Sequence, residues 1–120
     1  MQHNPLSIRP FLGSKNFGIS RKFYHALGFE EFVIDSNMSA FKAEGIAFYL
    51  QNAYEKLWIE NTMVFLEVKD VDQHWKDLQA LDLPNQFEGV KITSIFRNDW
   101  GDEYHLLDPA GNLWHFGKFK

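Results

Sequence analysis

Five histidines, His3, His25, His74, His105 and His115, are the side chains best suited to hold a metal or move a proton. No two stand four residues apart, so no helical pair of metal-binding imidazoles exists. The absence of cysteine excludes a thiolate nucleophile, a disulfide scaffold and Cys-ligated zinc or iron–sulfur centres. No Gly-x-Ser-x-Gly elbow presents a serine, and no glycine-rich loop is shaped to cradle phosphate. What the sequence has in excess is rings: 12 Phe, 4 Trp and 4 Tyr, or 17% of 120 residues. Rings fill cores, and they also line pockets for flat ligands. Trp58 and Trp100 lie outside periodic segments, where a tryptophan often covers a pocket or joins an interface. Core packing is the alternative for both. Asp99, Asp102 and Glu103 surround Trp100 with carboxylates, a setting for a cationic aromatic ligand.

The remaining composition narrows the class. Hydrophobic residues make up 45% and charged ones 23%, which excludes a disordered chain or a coiled coil. A net charge of −4 speaks against a generally basic nucleic-acid binder. No apolar run approaches the roughly 20 residues that span a bilayer. The start, MQHNPLSIRP, lacks the basic and apolar regions of a signal peptide. The expectation is one cytoplasmic globular domain, residues 1–120, without nucleic-acid or membrane partners.

Turn and capping residues divide the chain into short elements. A strand is predicted over 5–12, then a helix capped by Asn16 that runs through Leu27 and stops at Gly28. Strands follow over 29–35, 39–43 and 46–51, the last two forming a hairpin across Glu44-Gly45. After a loop over 52–61 a second series begins with a strand over 62–68. Asp70 with Gln73 forms a capping box for a helix to Leu81. Strands over 90–96, 103–107 and 113–116 complete it, the last two joined by the turn Asp108-Pro109-Ala110-Gly111. The order is β-α-β-β-β twice, modules of about 1–52 and 62–120. Phe11-Leu12 and Lys15-Asn16-Phe17 reappear as Phe65-Leu66 and Lys69-Asp70-Val71, which supports a duplication.

Strand parity separates two faces. Ile8, Leu12, Phe48, Leu50, Val64, Leu66, Trp114 and Phe116 share the apolar parity and should pack on the helices. The opposite parity carries Arg9, Phe11, Tyr49, Gln51, Met63, Phe65, Glu67 and His115. A sheet face with such polar groups among rings is either exposed or lines a cavity. Arg9, among Ile8, Pro10 and Phe11, is costly to bury unpaired. It pairs with Glu67, if the first strands of the two modules adjoin, or meets an anionic or carbonyl group of a ligand. His115 is read as a cavity-facing hydrogen-bonding residue or as a structural histidine.

The stretch from Arg21 to Phe29, RKFYHALGF, resembles the FYxxLGF signature of the vicinal oxygen chelate superfamily of glyoxalases, bleomycin resistance proteins and dioxygenases. Trp100-Gly101-Asp102-Glu103 with Asp108-Pro109-Ala110-Gly111-Asn112 is similar to its WGxxE…DPxGN segment. Within it the bleomycin resistance type, with Pro10 at a matching early-strand position, is the nearest in appearance. The resemblance implies an α+β fold, two βαβββ modules with curved mixed sheets around a cavity, and a homodimer. It also implies that metal ligands, where the superfamily has them, would fall at Arg9, Tyr49, Met63 and His115. Arg cannot ligate, Met is soft and neutral Tyr is a poor ligand, so no metal and no cofactor are expected there.

The function expected from these residues is metal-independent binding of a small aromatic molecule, with or without a cationic group, that is sequestered in a dimer cavity with no catalytic residue. Arg9, Tyr49, Trp58, Met63, Phe65, Trp100 and His115 are the expected ligand-binding set. The alternative is a metal-dependent glyoxalase- or dioxygenase-like enzyme with a displaced site. It needs three donors among His115, Glu67, Gln51 and a residue of a second subunit. A third reading makes the aromatic face only an interface between copies.

Overall fold

The computed structural model describes residues 1–120. The first module contains β1 (Phe11–Gly13), α1 (Phe17–Ala26), β2 (Glu30–Asp35), β3 (Met38–Ala43) and β4 (Ile46–Gln51). Asn16 caps α1 by accepting the Ile19 N–H at 3.1 Å. Glu44 and Gly45, both at positive φ, make the tight turn from β3 to β4. The strands lie in the order β1-β4-β3-β2, with β1 parallel to β4.

After the short α2 (Lys56–Ile59), the pattern recurs. It comprises β5 (Met63–Glu67), α3 (Val71–Ala80), α4 (Leu83–Gln86), β6 (Lys91–Ile92), β7 (Phe96–Arg97), β8 (Gly101–Leu107) and β9 (Leu113–Phe119). Asp70 caps α3 through the Gln73 N–H at 3.0 Å. The order β5-β9-β8-β6, with β5 parallel to β9, repeats the topology of the first sheet. The α+β fold of two βαβββ modules stands as the sequence implies.

Two expected strands differ. The first begins at Phe11 rather than residue 5. Pro10 has no N–H to give, although its carbonyl still accepts the Tyr49 N–H at 2.9 Å. The chain before it leaves the sheet as an arm, with Leu6 and Ile8 almost wholly exposed. Ile8 is therefore no core residue, and the arm stands off Lys42, Ile46 and Ala47 across a gap of about 430 Å³. The strand expected over 90–96 is divided into β6 and β7. Between them the Thr93 hydroxyl takes the place of a backbone carbonyl and accepts the His105 N–H at 2.9 Å, which interrupts the ladder.

One continuous core joins the modules, with Leu12, Tyr24, Phe41, Phe48 and Leu50 from the first and Leu78, Tyr104, Leu106, Trp114 and Phe116 from the second. Away from that core, the near-buried Glu31 holds α1 against the outer strands. It accepts Arg21 Nε at 2.7 Å and Ser39 Oγ at 2.6 Å, and pairs with His25 Nε2 at 2.8 Å. Burial opposes its ionisation, but the bonds from Arg21, Ser39 and His25 win and bring the carboxyl down to about 2.

A carboxyl that ionises more readily when folded stabilises the fold fully above its unfolded value of 4.5, and that contribution is lost as pH falls toward 2. Glu31→Gln should lower stability by about 1–3 kcal/mol at neutral pH. Thermal melts of the variant should also show a shallower loss across this acid range. An acid limb as steep as that of the parent protein would show that the contact contributes nothing.

Candidate functional site

The two sheets bury one parity and open the other, as the alternation requires. On the open face of the first sheet Phe11 pairs with Tyr49, their ring centroids 4.9 Å apart. Arg9 Nη1 donates to Tyr49 Oη at 3.3 Å, and its guanidinium lies 5.5 Å from the Tyr49 ring centre. Arg9 Nε is buried with no partner in the chain. The expected pairing with Glu67 does not form. β1 and β5 belong to different sheets, and Glu67 Oε2 accepts the Phe119 N–H at 3.3 Å with Lys118 Nζ at 3.8 Å.

The open face of the second sheet is richer. The Phe65 centroid lies 6.3 Å from Trp100 and 5.5 Å from Phe119, and Trp100 and Phe119 are 5.5 Å apart. All three rings are about half exposed. Phe65 can lie flat here because β9 supplies Gly117 beneath it; a Cβ there would come within 2.6 Å of Phe65 Cζ. Beside the rings, His115 Nε2 faces Met63 Sδ at 3.4 Å. Glu103 Oε1 meets His105 Nε2 at 2.8 Å and His115 Nδ1 at 3.4 Å. Burial disfavours the Glu103 charge, but the two imidazoles outweigh it and hold the carboxyl below its ordinary value.

The expected set thus divides in three. Arg9, from the arm, meets Tyr49 of the first sheet; Met63, Phe65, Trp100 and His115 gather on the second. Trp58 joins neither group. It lies in α2 against the backbone of Gly13, where an added Cβ would come within 2.7 Å of its Cζ3. Of the three carboxylates expected around Trp100, Asp102 pairs with Arg97 at 2.9 Å and Glu103 with the histidines, which leaves Asp99. Glu67 contributes to no cluster of acidic and imidazole donors, whereas Glu103 and His105 do, and Gln51 lies on the other sheet at the end of β4. His105 was legible in principle, since a hairpin about residues 108–111 that pairs Leu107 with Leu113 sets His105 opposite His115. Phe119 was missed because the last strand runs three residues beyond the expected end at Phe116.

The four positions where superfamily metal ligands would fall do not fit a divalent ion. Arg9 and Tyr49 bond each other on one sheet, while Met63 and His115 face each other on the other. Only His115 is a good donor. A concavity of about 710 Å³ lies elsewhere. It opens between the modules on the helix side, against Leu27, Phe29, Ile46, Leu66, His74 and Phe116, and holds none of the expected site residues.

No protein-family model matches the sequence, and no curated protein is detectably similar to it. Solved structures do match the fold. The bleomycin-binding protein of bleomycin-producing Streptomyces verticillus, solved with copper(II)-bleomycin, superposes with a TM-score of 0.83 at 23% identity, over 99% of this chain and 100% of that one. An antibiotic-binding protein from Streptomyces sp. CB03234 gives 0.75 at 16% identity, over 99% and 100%. A glyoxalase/bleomycin resistance protein from Catenulispora acidiphila gives 0.74 at 20%, over 97% and 100%. The chain has the fold of these bleomycin-binding and glyoxalase/bleomycin resistance proteins.

The seat of Phe65 can be tested directly. Gly117→Ala should displace the ring, costing about 1–3 kcal/mol of stability and altering the near-ultraviolet circular dichroism of the Phe65–Trp100–Phe119 group. An unchanged spectrum and melting temperature would mean that Phe65 does not rest on Gly117.

Proposed function

We propose that this protein binds and sequesters an aromatic small molecule, with no chemical transformation of it, in a cavity that a second copy of the chain completes. The observation that carries the reading is the half-exposed group Phe65, Trp100 and Phe119 on one open sheet face. Contiguous exposed rings of this size are a binding surface more often than a solvent face. Neighbours of the same fold are described as binding bleomycin or an antibiotic, which supports a small-molecule ligand. A cationic group on the ligand would meet Asp99 and a net charge of −4, a weaker attraction than three free carboxylates would give.

The second copy is supported by what a single chain leaves open. Leu6, Ile8 and Phe11 are exposed in or beside the arm, and Arg9 Nε is buried without an acceptor. An apolar arm that extends past its own sheet gains most by packing on another molecule. Arg9 and Tyr49 would then supply polar contacts to a ligand that stacks on the rings of the other sheet. No metal at the four superfamily positions enters this scheme.

Tryptophan fluorescence titration with bleomycin and a panel of other aromatic antibiotics, in EDTA, tests the proposal. Saturable quenching by at least one compound is expected, weakened about tenfold in Trp100→Ala, the effect of removing one stacking ring worth 1–2 kcal/mol. Sedimentation equilibrium should give twice the chain mass. A flat titration for every compound, or binding indifferent to Trp100→Ala, would overturn the ligand reading; a monomer would overturn the shared cavity.

A further inference from the structure

β8 and β9 form a continuous antiparallel ladder from Gly101 to Leu107, and its register sets His105 directly opposite His115. Paired residues project to the same face. The two imidazoles therefore lie side by side, ring centroids 4.2 Å apart. Glu103, on the same face two residues before His105, reaches both with one oxygen. Its hydrogen-bond partners are these imidazoles alone, with no lysine or arginine among them. The three side chains are mostly withdrawn from water, at 15% exposure for Glu103, 24% for His105 and 19% for His115.

We infer that Glu103, His105 and His115 form a binding site for a divalent late first-row transition-metal ion. Each of the three residues offers one donor atom within 4.8 Å of the other two, and Glu103 Oε1 faces His105 Nε2 and His115 Nδ1. Ligands on a tetrahedral ion with bonds of about 2.1 Å stand roughly 3.4 Å apart. The spacings from Glu103, 2.8 and 3.4 Å, already bracket that value. Small side-chain rotations bring the imidazole nitrogens to it. Neighbours hold the rings: Phe96 packs at 5.1 Å from His105, and Met63 Sδ faces the other nitrogen of His115.

Two imidazoles and one carboxylate select Zn²⁺, Co²⁺, Ni²⁺ or Cu²⁺ over Mg²⁺ and Ca²⁺, which take oxygen ligands. Three protein ligands leave a coordination position open. Only His115 belongs to the four superfamily positions; the other two donors come from the adjacent strand β8. The site rests on these residues alone and is independent of the proposed aromatic ligand.

The test uses the full chain, untagged and with His3→Ala, because His3 in the exposed arm is a competing imidazole. Calorimetric titration should find one Zn²⁺ per chain, Co²⁺ should give a visible ligand-field band, and Mg²⁺ should not bind. Glu103→Gln, which keeps the shape of the side chain, and His105→Ala should each weaken Zn²⁺ binding at least tenfold. Should His105→Ala fail to fold, Glu103→Gln decides. Failure to saturate with Zn²⁺, or a Zn²⁺ affinity unmoved by Glu103→Gln, would overturn the inference. Metal is titrated without organic ligand, and the antibiotic titrations run in EDTA, so each reading fails separately.

Discussion

The turn between β8 and β9 is fixed by a buried carboxylate. Asp108 Oδ1 accepts the N–H groups of Ala110, Gly111 and Asn112 at 2.8–2.9 Å. Its Oδ2 accepts Tyr24 Oη at 2.6 Å and Asn112 Nδ2 at 2.8 Å. Tyr24 comes from α1, in the other module, and its oxygen in turn accepts the Trp114 indole N–H at 2.9 Å. Asn112 Nδ2 also donates to the Gly13 carbonyl at the end of β1. Burial, with the facing carboxylate, keeps the Tyr24 phenol protonated far beyond its ordinary range, so it remains a donor. One charge is thus satisfied by donors from both modules. Removing a partner from such a buried charge costs on the order of 3–5 kcal/mol.

That constraint reaches the open face through register. With the turn set by Asp108, Leu107 pairs with Leu113, and every later pair of the hairpin follows. His105 meets His115, Glu103 meets Gly117, and Gly101 meets Phe119. A slip of one residue would turn Trp114 and Phe116 outward and the histidines into the core. The same hydrogen-bonded turn therefore positions a donor cluster and one side of an aromatic surface. Both stand on a rigid ladder rather than on loops, which suits groups that must hold a fixed geometry.

Much of this was legible in the residues. Asn16 and Asp70 marked the helix starts, Glu44-Gly45 and Asp108–Gly111 the hairpins, and period-two alternation divided Leu12, Leu50 and Trp114 from Phe11, Tyr49 and His115. Parity, however, says which face a residue takes and not which strand lies beside it. Arg9 and Glu67 share a parity, yet Arg9 lies in the arm beside the first sheet and Glu67 on the second, and His105 gained meaning only when paired across the turn with His115. Pro10 and Thr93 ended ladders for reasons of single donors and acceptors, which hydrophobic pattern does not encode. Trp58, an isolated loop ring in the sequence, lies in a short helix against Gly13, which leaves it room.

The open faces of the two sheets are chemically unequal. The second offers rings and a cluster of two imidazoles with a carboxylate; the first offers Phe11, Tyr49 and a guanidinium. Arg9 Nε is a buried donor with no acceptor, which costs about 1–3 kcal/mol if nothing answers it. Glu67, the carboxylate that strand parity offered it, is already bonded within its own sheet. An acceptor from outside the chain is what would relieve that donor. In the proposed function a ligand or a second copy brings it, and each face then supplies what the other lacks: stacking area from one, directed polar contacts from the other. In that scheme a second copy of the chain brings the two halves together.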